Sequence, residues 1–336
     1  MLSLTACHDI HEEPNNPRGN FESLWKQVDQ HYCFLDEKGL DWDEVYTRYS
    51  SKIDDRMSSQ QLFGVLSDML DELRDGHVNL SAPFATSYYK KWWSDYPQNF
   101  NLRNIQEQYL HFNYRQLGAF TYGMLPDNVG YVYYSTFTSG LGDGNIDYIL
   151  AYFAGANALI FDVRDNGGGN MDNVKDLVCR FITRRILAGY IRHKTGPGHN
   201  QFSEPYAYYI DPIGGGHFTW TKPVVVLANR STFSAANNFV SIMKLLPGVT
   251  VVGATTGGGS GMPYSTMLPN GWGLRFSACP VYDAQRHLTE SGVEPTEGCA
   301  VDMTPEEIAQ GKDAIIDFAV NYINTTLLNG SPDSGR

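Results

Sequence analysis

The residue in this chain best placed for nucleophilic chemistry is Ser234. It follows the apolar run Val224-Val225-Val226-Leu227 and the turn residues Asn229-Arg230-Ser231-Thr232, and from Ala235 on the apolar residues keep helical spacing up to Pro247. This is a strand, a sharp turn and a helix with a serine where the helix begins. A hydroxyl there lies over backbone N–H groups that have no partner inside the helix, and over the positive end of the helix dipole. Such a position can hold a nucleophile and stabilise the oxyanion it creates, although a plain N-cap serine gives the same local pattern. Three glycines, Gly167, Gly168 and Gly169, follow the buried-strand run 158–163 after Arg164-Asp165-Asn166. Without Cβ atoms, their N–H groups can face an anion; a flexible turn is the alternative reading, and neither G-x-G-x-x-G nor the Lys-Ser/Thr of a phosphate loop accompanies them. His77 sits in Asp75-Gly76-His77 and on its own reads as a structural histidine.

The elements that must position these residues fall into two styles. Phe21, Leu24, Trp25, Val28 and Tyr32 share one helical face, as do Trp42, Val45, Tyr46 and Tyr49, then Leu62, Val65, Leu66, Met69, Leu70 and Leu73. A break at Lys38-Gly39 and caps at Asp41 and Ser58 or Ser59 separate three helices. Residues 81–129 are aromatic and polar, either strands of a small β unit or a flap facing substrate. From Gly130 the pattern becomes strand, glycine-rich turn and helix: strands at 130–134, 158–163 and 249–253, helices at 146–154 and 174–187, and a loop at 257–261. The expected fold class is α/β with a largely parallel inner sheet. The expected organisation is a leader and spacer at 1–20, a helical bundle at 21–80, a connecting segment at 81–129, the α/β core at 130–325 and a tail at 326–336.

Composition narrows the function. Of 336 residues 42% are hydrophobic and 13% aromatic, ample for a packed core, and no run of about 18 apolar residues reads as a membrane span. The net charge of -12 argues against nucleic acid as a partner, since no basic stripe is present to neutralise phosphates. The five cysteines form no C-x-x-C pair and no zinc-type spacing with histidine, so neither metal nor cofactor is expected. Cys7 ends Leu4-Thr5-Ala6-Cys7, which resembles a bacterial lipobox; the basic and apolar regions of a signal peptide do not precede it, and a chance tetrapeptide is the alternative. Membrane association is expected only through a lipid on Cys7.

Asp75-Gly76-His77, Gly130-Tyr131-Val132, Arg164-Asp165-Asn166-Gly167-Gly168-Gly169, Ser234-Ala235-Ala236 and Gly292-Val293-Glu294-Pro295 occur in the order that resembles the tail-specific, or C-terminal processing, serine peptidases. The resemblance spans residues 21–322. It implies a helical N-terminal cap, a ClpP/crotonase-like core of β-β-α units and a nucleophile at Ser234. The Ser-Lys dyad of the processing branch is absent, because the loop Gly257-Gly258-Gly259-Ser260-Gly261 carries no lysine, and 77–130 is too short for a PDZ domain. The chain thus resembles the PDZ-less branch of the tricorn core and the interphotoreceptor retinoid-binding protein modules. By that resemblance the base is His77 and the catalytic glutamate Glu290, with Glu294 as a neighbouring competitor. The tricorn core has a serine directly before its histidine, where this chain has Gly76, and many relatives have glutamate where it has Asn237.

The activity so implied is hydrolysis of a peptide or protein substrate through an acyl-enzyme; the expected place, the bacterial cell envelope, rests on Cys7 alone. Ser234 attacks the carbonyl, His77 takes and returns the proton, and Glu290 steadies the imidazolium or positions a partner. The oxyanion would be held by N–H groups of Ala235 and of a glycine, Gly168 ahead of Gly167. The rivals are a non-catalytic binder of peptides or lipophilic ligands on the same fold, a crotonase-type acyl-transfer enzyme, for which no nucleotide-pocket signal is present, and an esterase.

Overall fold

The computed structural model describes residues 13–142 and 144–328; Cys7 and the tail beyond 328 lie outside the described residues. The chain forms two compact units. Among the described residues, the first comprises 13–90 with His193–Ser203 and Met262–Cys279, and the second Lys91–Arg192, Glu204–Gly261 and 280–328.

In the first unit the three expected helices are α1 (Pro17–His31), α2 (Trp42–Ser50) and α3 (Ser59–Asp71). Asp41 caps α2, and Ser58 caps α3 in a reciprocal box with Gln61. Trp25 and Trp42 each donate an indole N–H to the other's carbonyl at 3.0 Å, locking α1 to α2 while their rings stay packed. β1 (Asn79–Ala82) pairs antiparallel with β2 (Ala85–Thr86) and with residues 273–275 of the long strand that runs Gly273–Tyr282.

The second unit holds a six-stranded sheet. Strands β3 (Tyr114–Leu117) and β4 (Phe120–Leu125) are antiparallel, whereas β5 (Val129–Tyr134), β6 (Ala158–Asp162), Val224–Ala228 and Val249–Gly253 run parallel. Alternate residues feed two cores: Leu159, Phe161, Val224 and Val226 pack with the helices Asn145–Tyr152, Met171–Val178 and Ala235–Met243, while Ile160, Val225 and Leu227 pack with Ala314–Tyr322. Helices cover both faces of the inner strands, so β5, β6, Val224–Ala228 and Val249–Gly253 are nearly continuous apolar runs, whereas β3 carries the exposed Arg115 and Gln116. The helix expected over 174–187 ends at Val178, and Ile186–Ile191 is a strand instead. The carbonyls of Cys179 and Arg180, which a longer helix would use internally, accept the N–H groups of Ile213 and Trp220.

Among the described residues, segment 81–129 forms no separate β unit. Residues 114–125 complete the large sheet, and 91–99 form an irregular flap with one short helix, Lys91–Ser94.

Candidate functional site

Ser234 stands between the strand Val224–Ala228 and the helix Ala235–Met243, with φ 58° and ψ -119°. A side chain with a Cβ avoids that backbone region unless its surroundings force it there. The force is visible: Ser234 N–H donates to the carbonyl of Gly258 at 2.8 Å, Phe233 N–H donates to that of Asn166 at 3.0 Å, and the Ser234 carbonyl accepts the N–H of Asn238 at 3.0 Å. The turn is thus tied on one side to the 257–261 loop and on the other to the glycine loop.

The glycine loop leaves the end of β6 against this turn. Gly168 has φ +92°, and a Cβ on it would lie 2.8 Å from both Ser234 Cβ and the Ala235 nitrogen. Only glycine permits that approach. Gly168 N–H is donated to Asn166 Oδ1 at 3.0 Å, so an oxyanion would have to share or exchange that bond; Gly167 is exposed with open space around it. Asn166 is itself buried and donates to the Tyr134 carbonyl. The root of the loop is Arg164, fully buried, which grips Asp162 at 2.6 Å and Asp313 at 3.0 Å.

Glu290 and Glu294, which the sequence leaves in competition, have different surroundings. A Glu290 carboxylate oxygen accepts Ser260 N–H at 2.8 Å and its carbonyl accepts Gly259 N–H, so it braces the loop whose Gly258 holds Ser234. Glu294 is exposed and accepts the Thr255 hydroxyl. Asn237 is buried one turn along from Ser234: its amide donates to Thr289, and it accepts the Thr256 hydroxyl at 2.6 Å. It fastens the helix Ala235–Met243 to the two segments that carry Glu290 and the 257–261 loop. The flap joins them through Trp92, whose ring stacks on Phe233 with centroids 4.1 Å apart, and through Arg230, which donates to the Trp92 carbonyl. Gly257 and Gly259 are small because those two rings occupy the space a Cβ would fill.

His77 belongs to the first unit and is buried. Burial holds its imidazole neutral, lowering its pKa to about 4 against the opposing pull of Asp75. Asp75 accepts the His77 backbone N–H at 2.7 Å, the Tyr32 hydroxyl at 3.0 Å and the Ser277 hydroxyl at 2.8 Å. Sequence reasoning missed both acidic and hydroxyl neighbours. Asp75 was detectable as the carboxylate two residues before the histidine, whereas nothing local marks Ser277, 200 positions away from it.

A serine on a strained turn between a parallel strand and a helix of an α/β core is an arrangement that serine hydrolases use. A model described as peptidase family S41 matches residues 128–298, and one for the tricorn protease C1 domain matches 13–71. The chain is 47% identical to a candidate peptidase from Parabacteroides merdae, over 92% of this chain and 97% of that one, with a TM-score of 0.86. Mature CPAF is 13% identical over 94% of this chain and 98% of its own (TM-score 0.72), and the photosystem II D1 C-terminal processing protease 16% identical over 85% and 93% (TM-score 0.56); these share the fold. The chain belongs to peptidase family S41, the tail-specific serine proteases, and is a serine-type peptidase.

Proposed function

We propose that Ser234 is the nucleophile of a peptide-bond hydrolase, with His77 as its general base. The observation that carries this reading is the backbone of Ser234, held at positive φ on the N-terminus of a helix with Gly168 packed against its Cβ. Strain kept in place by two neighbouring loops is the kind found where a side chain must be presented for reaction. Ser234 Oγ attacks the peptide carbonyl as His77 removes its proton. The oxyanion is received by Ala235 N–H together with an N–H of Gly168 or Gly167, and His77 then protonates the leaving amine. Glu290 acts by bracing the 257–261 loop. The buried, neutral state of His77 supports its role, because only a neutral imidazole can accept the proton.

Labelling with a serine-reactive fluorophosphonate tests the assignment. The probe is expected on Ser234 of the wild type and to be lost in Ser234→Ala and His77→Ala, with peptide hydrolysis falling about 10^4-fold or more in either variant. A folded Ser234→Ala protein that still hydrolyses peptides at the wild-type rate would sink it.

The lipobox-like Leu4-Thr5-Ala6-Cys7 supports a lipid anchor on Cys7 and a place in the cell envelope, where the substrates would be envelope peptides or proteins. Incorporation of labelled fatty acid that disappears in Cys7→Ser is the expected result.

A further inference from the structure

We propose that Ser277 and Asp75 form a positioning pair that fixes the tautomer of His77, so that a strand residue supplies the orienting hydroxyl that Gly76 cannot. The inference rests on the reading of His77 as the base. It starts from Asp75, a buried carboxylate with both oxygens engaged: Oδ1 accepts the His77 N–H, and Oδ2 accepts the hydroxyls of Tyr32 and Ser277. Burial alone would favour the neutral acid. The charge of Lys38, with the His77 N–H, the Ser277 hydroxyl and, once the ring is protonated, the imidazolium of His77, outweighs it and holds the carboxyl below the usual range. An ionised carboxylate only accepts hydrogen bonds.

Ser277 has one hydroxyl hydrogen, and at 2.8 Å it is given to Asp75. Toward the imidazole, Ser277 Oγ therefore presents a lone pair, 3.5 Å from Nδ1. Nδ1 must bring the proton to that contact. A neutral ring has one N–H, so Nε2 keeps its lone pair, which is the form a general base needs. The 3.5 Å contact is long for neutral partners and tightens once the ring is charged. Asp75 Oδ1, 4.0 Å from Nδ1, then favours the imidazolium directly. The aspartate's bond to the His77 backbone shapes the turn with or without Ser277; its second oxygen, turned to the serine hydroxyl, is what orienting the ring adds.

The first test needs no substitution. Nitrogen NMR of wild-type protein labelled at histidine, with His77 assigned by the signal missing from His77→Ala, is expected to show the Nδ1–H tautomer at neutral pH; an Nε2–H tautomer overturns the proposal. In kinetics, Ser277→Ala should lower kcat about 10-fold with KM unchanged, Ser277→Thr should restore most of it, and Asp75→Asn should cost about 10^2-fold or more. A folded Ser277→Ala protein with wild-type kcat and an unchanged tautomer also overturns it. Failure of the base assignment itself would show separately, as a His77→Ala protein that still hydrolyses substrate.

Discussion

Ser234 carries a measurable strain. At φ 58° and ψ -119° its Cβ is a liability, and the three hydrogen bonds through Gly258, Asn166 and Asn238 hold the turn regardless. Removing the hydroxyl alone leaves that strain in place; removing Cβ releases it. Ser234→Gly is therefore expected to be more stable than Ser234→Ala by about 1 kcal/mol in urea unfolding, after the extra unfolded-state freedom of glycine is subtracted. Both variants should be inactive. The reverse order, which is usual at unstrained positions, would show that the turn is relaxed. The residues around this turn differ in how far sequence reveals them. Ser234 is legible because strand, turn and helix are adjacent in the chain, and Gly168 because three glycines follow an apolar run. Asn237 is opaque: its role is to bond Thr289 and Thr256, contacts that local pattern does not encode.

The elements of the sheet were legible for a physical reason, and so was the point where the reading failed. Strands covered on both faces are apolar almost throughout, as at 224–228 and at 158–161 ahead of Asp162, and stand out from their flanks. The helix 171–178 was read too long because what ends it is competition for its last carbonyls by Ile213 and Trp220, far away in sequence. The same distance hides the anchor of the glycine loop. Arg164 joins the end of β6 to Asp313, the N-cap of the helix Ala314–Tyr322, and lies over the ring of Phe100. Tyr131 adds a hydroxyl to Asp162 at 2.8 Å. Breaking such a buried cluster from one side leaves uncompensated carboxylates, which costs about 3–5 kcal/mol. Arg164→Met should destabilise by that amount in urea unfolding. Adding Asp313→Asn to it should recover part of the loss, since one stranded charge disappears. A single variant within about 1 kcal/mol of wild type would mean that the cluster contributes little.

At the scale of the whole molecule, the helical bundle was readable from its three amphipathic stripes, but the membership of 193–203 and 262–279 in the same unit was not. Those stretches lie in sequence beyond the first strands of the other unit, and their pairing with the bundle is decided by long-range contacts such as Ser277 with Asp75. The burial that results makes the molecule sensitive to pH. His77 has a folded-state pKa of about 4 against 6.5 when exposed, because burial penalises its charged form. Between those values the unfolded chain binds a proton that the native chain does not, so stability rises with pH across this window and is lost as pH falls from about 6.5 to about 4. The shift corresponds to about 3 kcal/mol. Asp75 acts the other way round in origin but in the same direction: its carboxyl is held low, so its contribution is present above the ordinary carboxylate range and fades at still lower pH. Urea unfolding of wild type and His77→Gln from pH 7 to pH 4 separates His77, with the part of the Asp75 titration that the imidazole influences, from the remaining ionisations, which the two proteins share. The wild type should lose about 3 kcal/mol relative to the variant, almost all below pH 6.5. Parallel curves would mean that the imidazole reaches solvent and keeps its ordinary pKa, and the acid limb of hydrolysis would then fall near 6.5, well above the value near 4 that its burial implies.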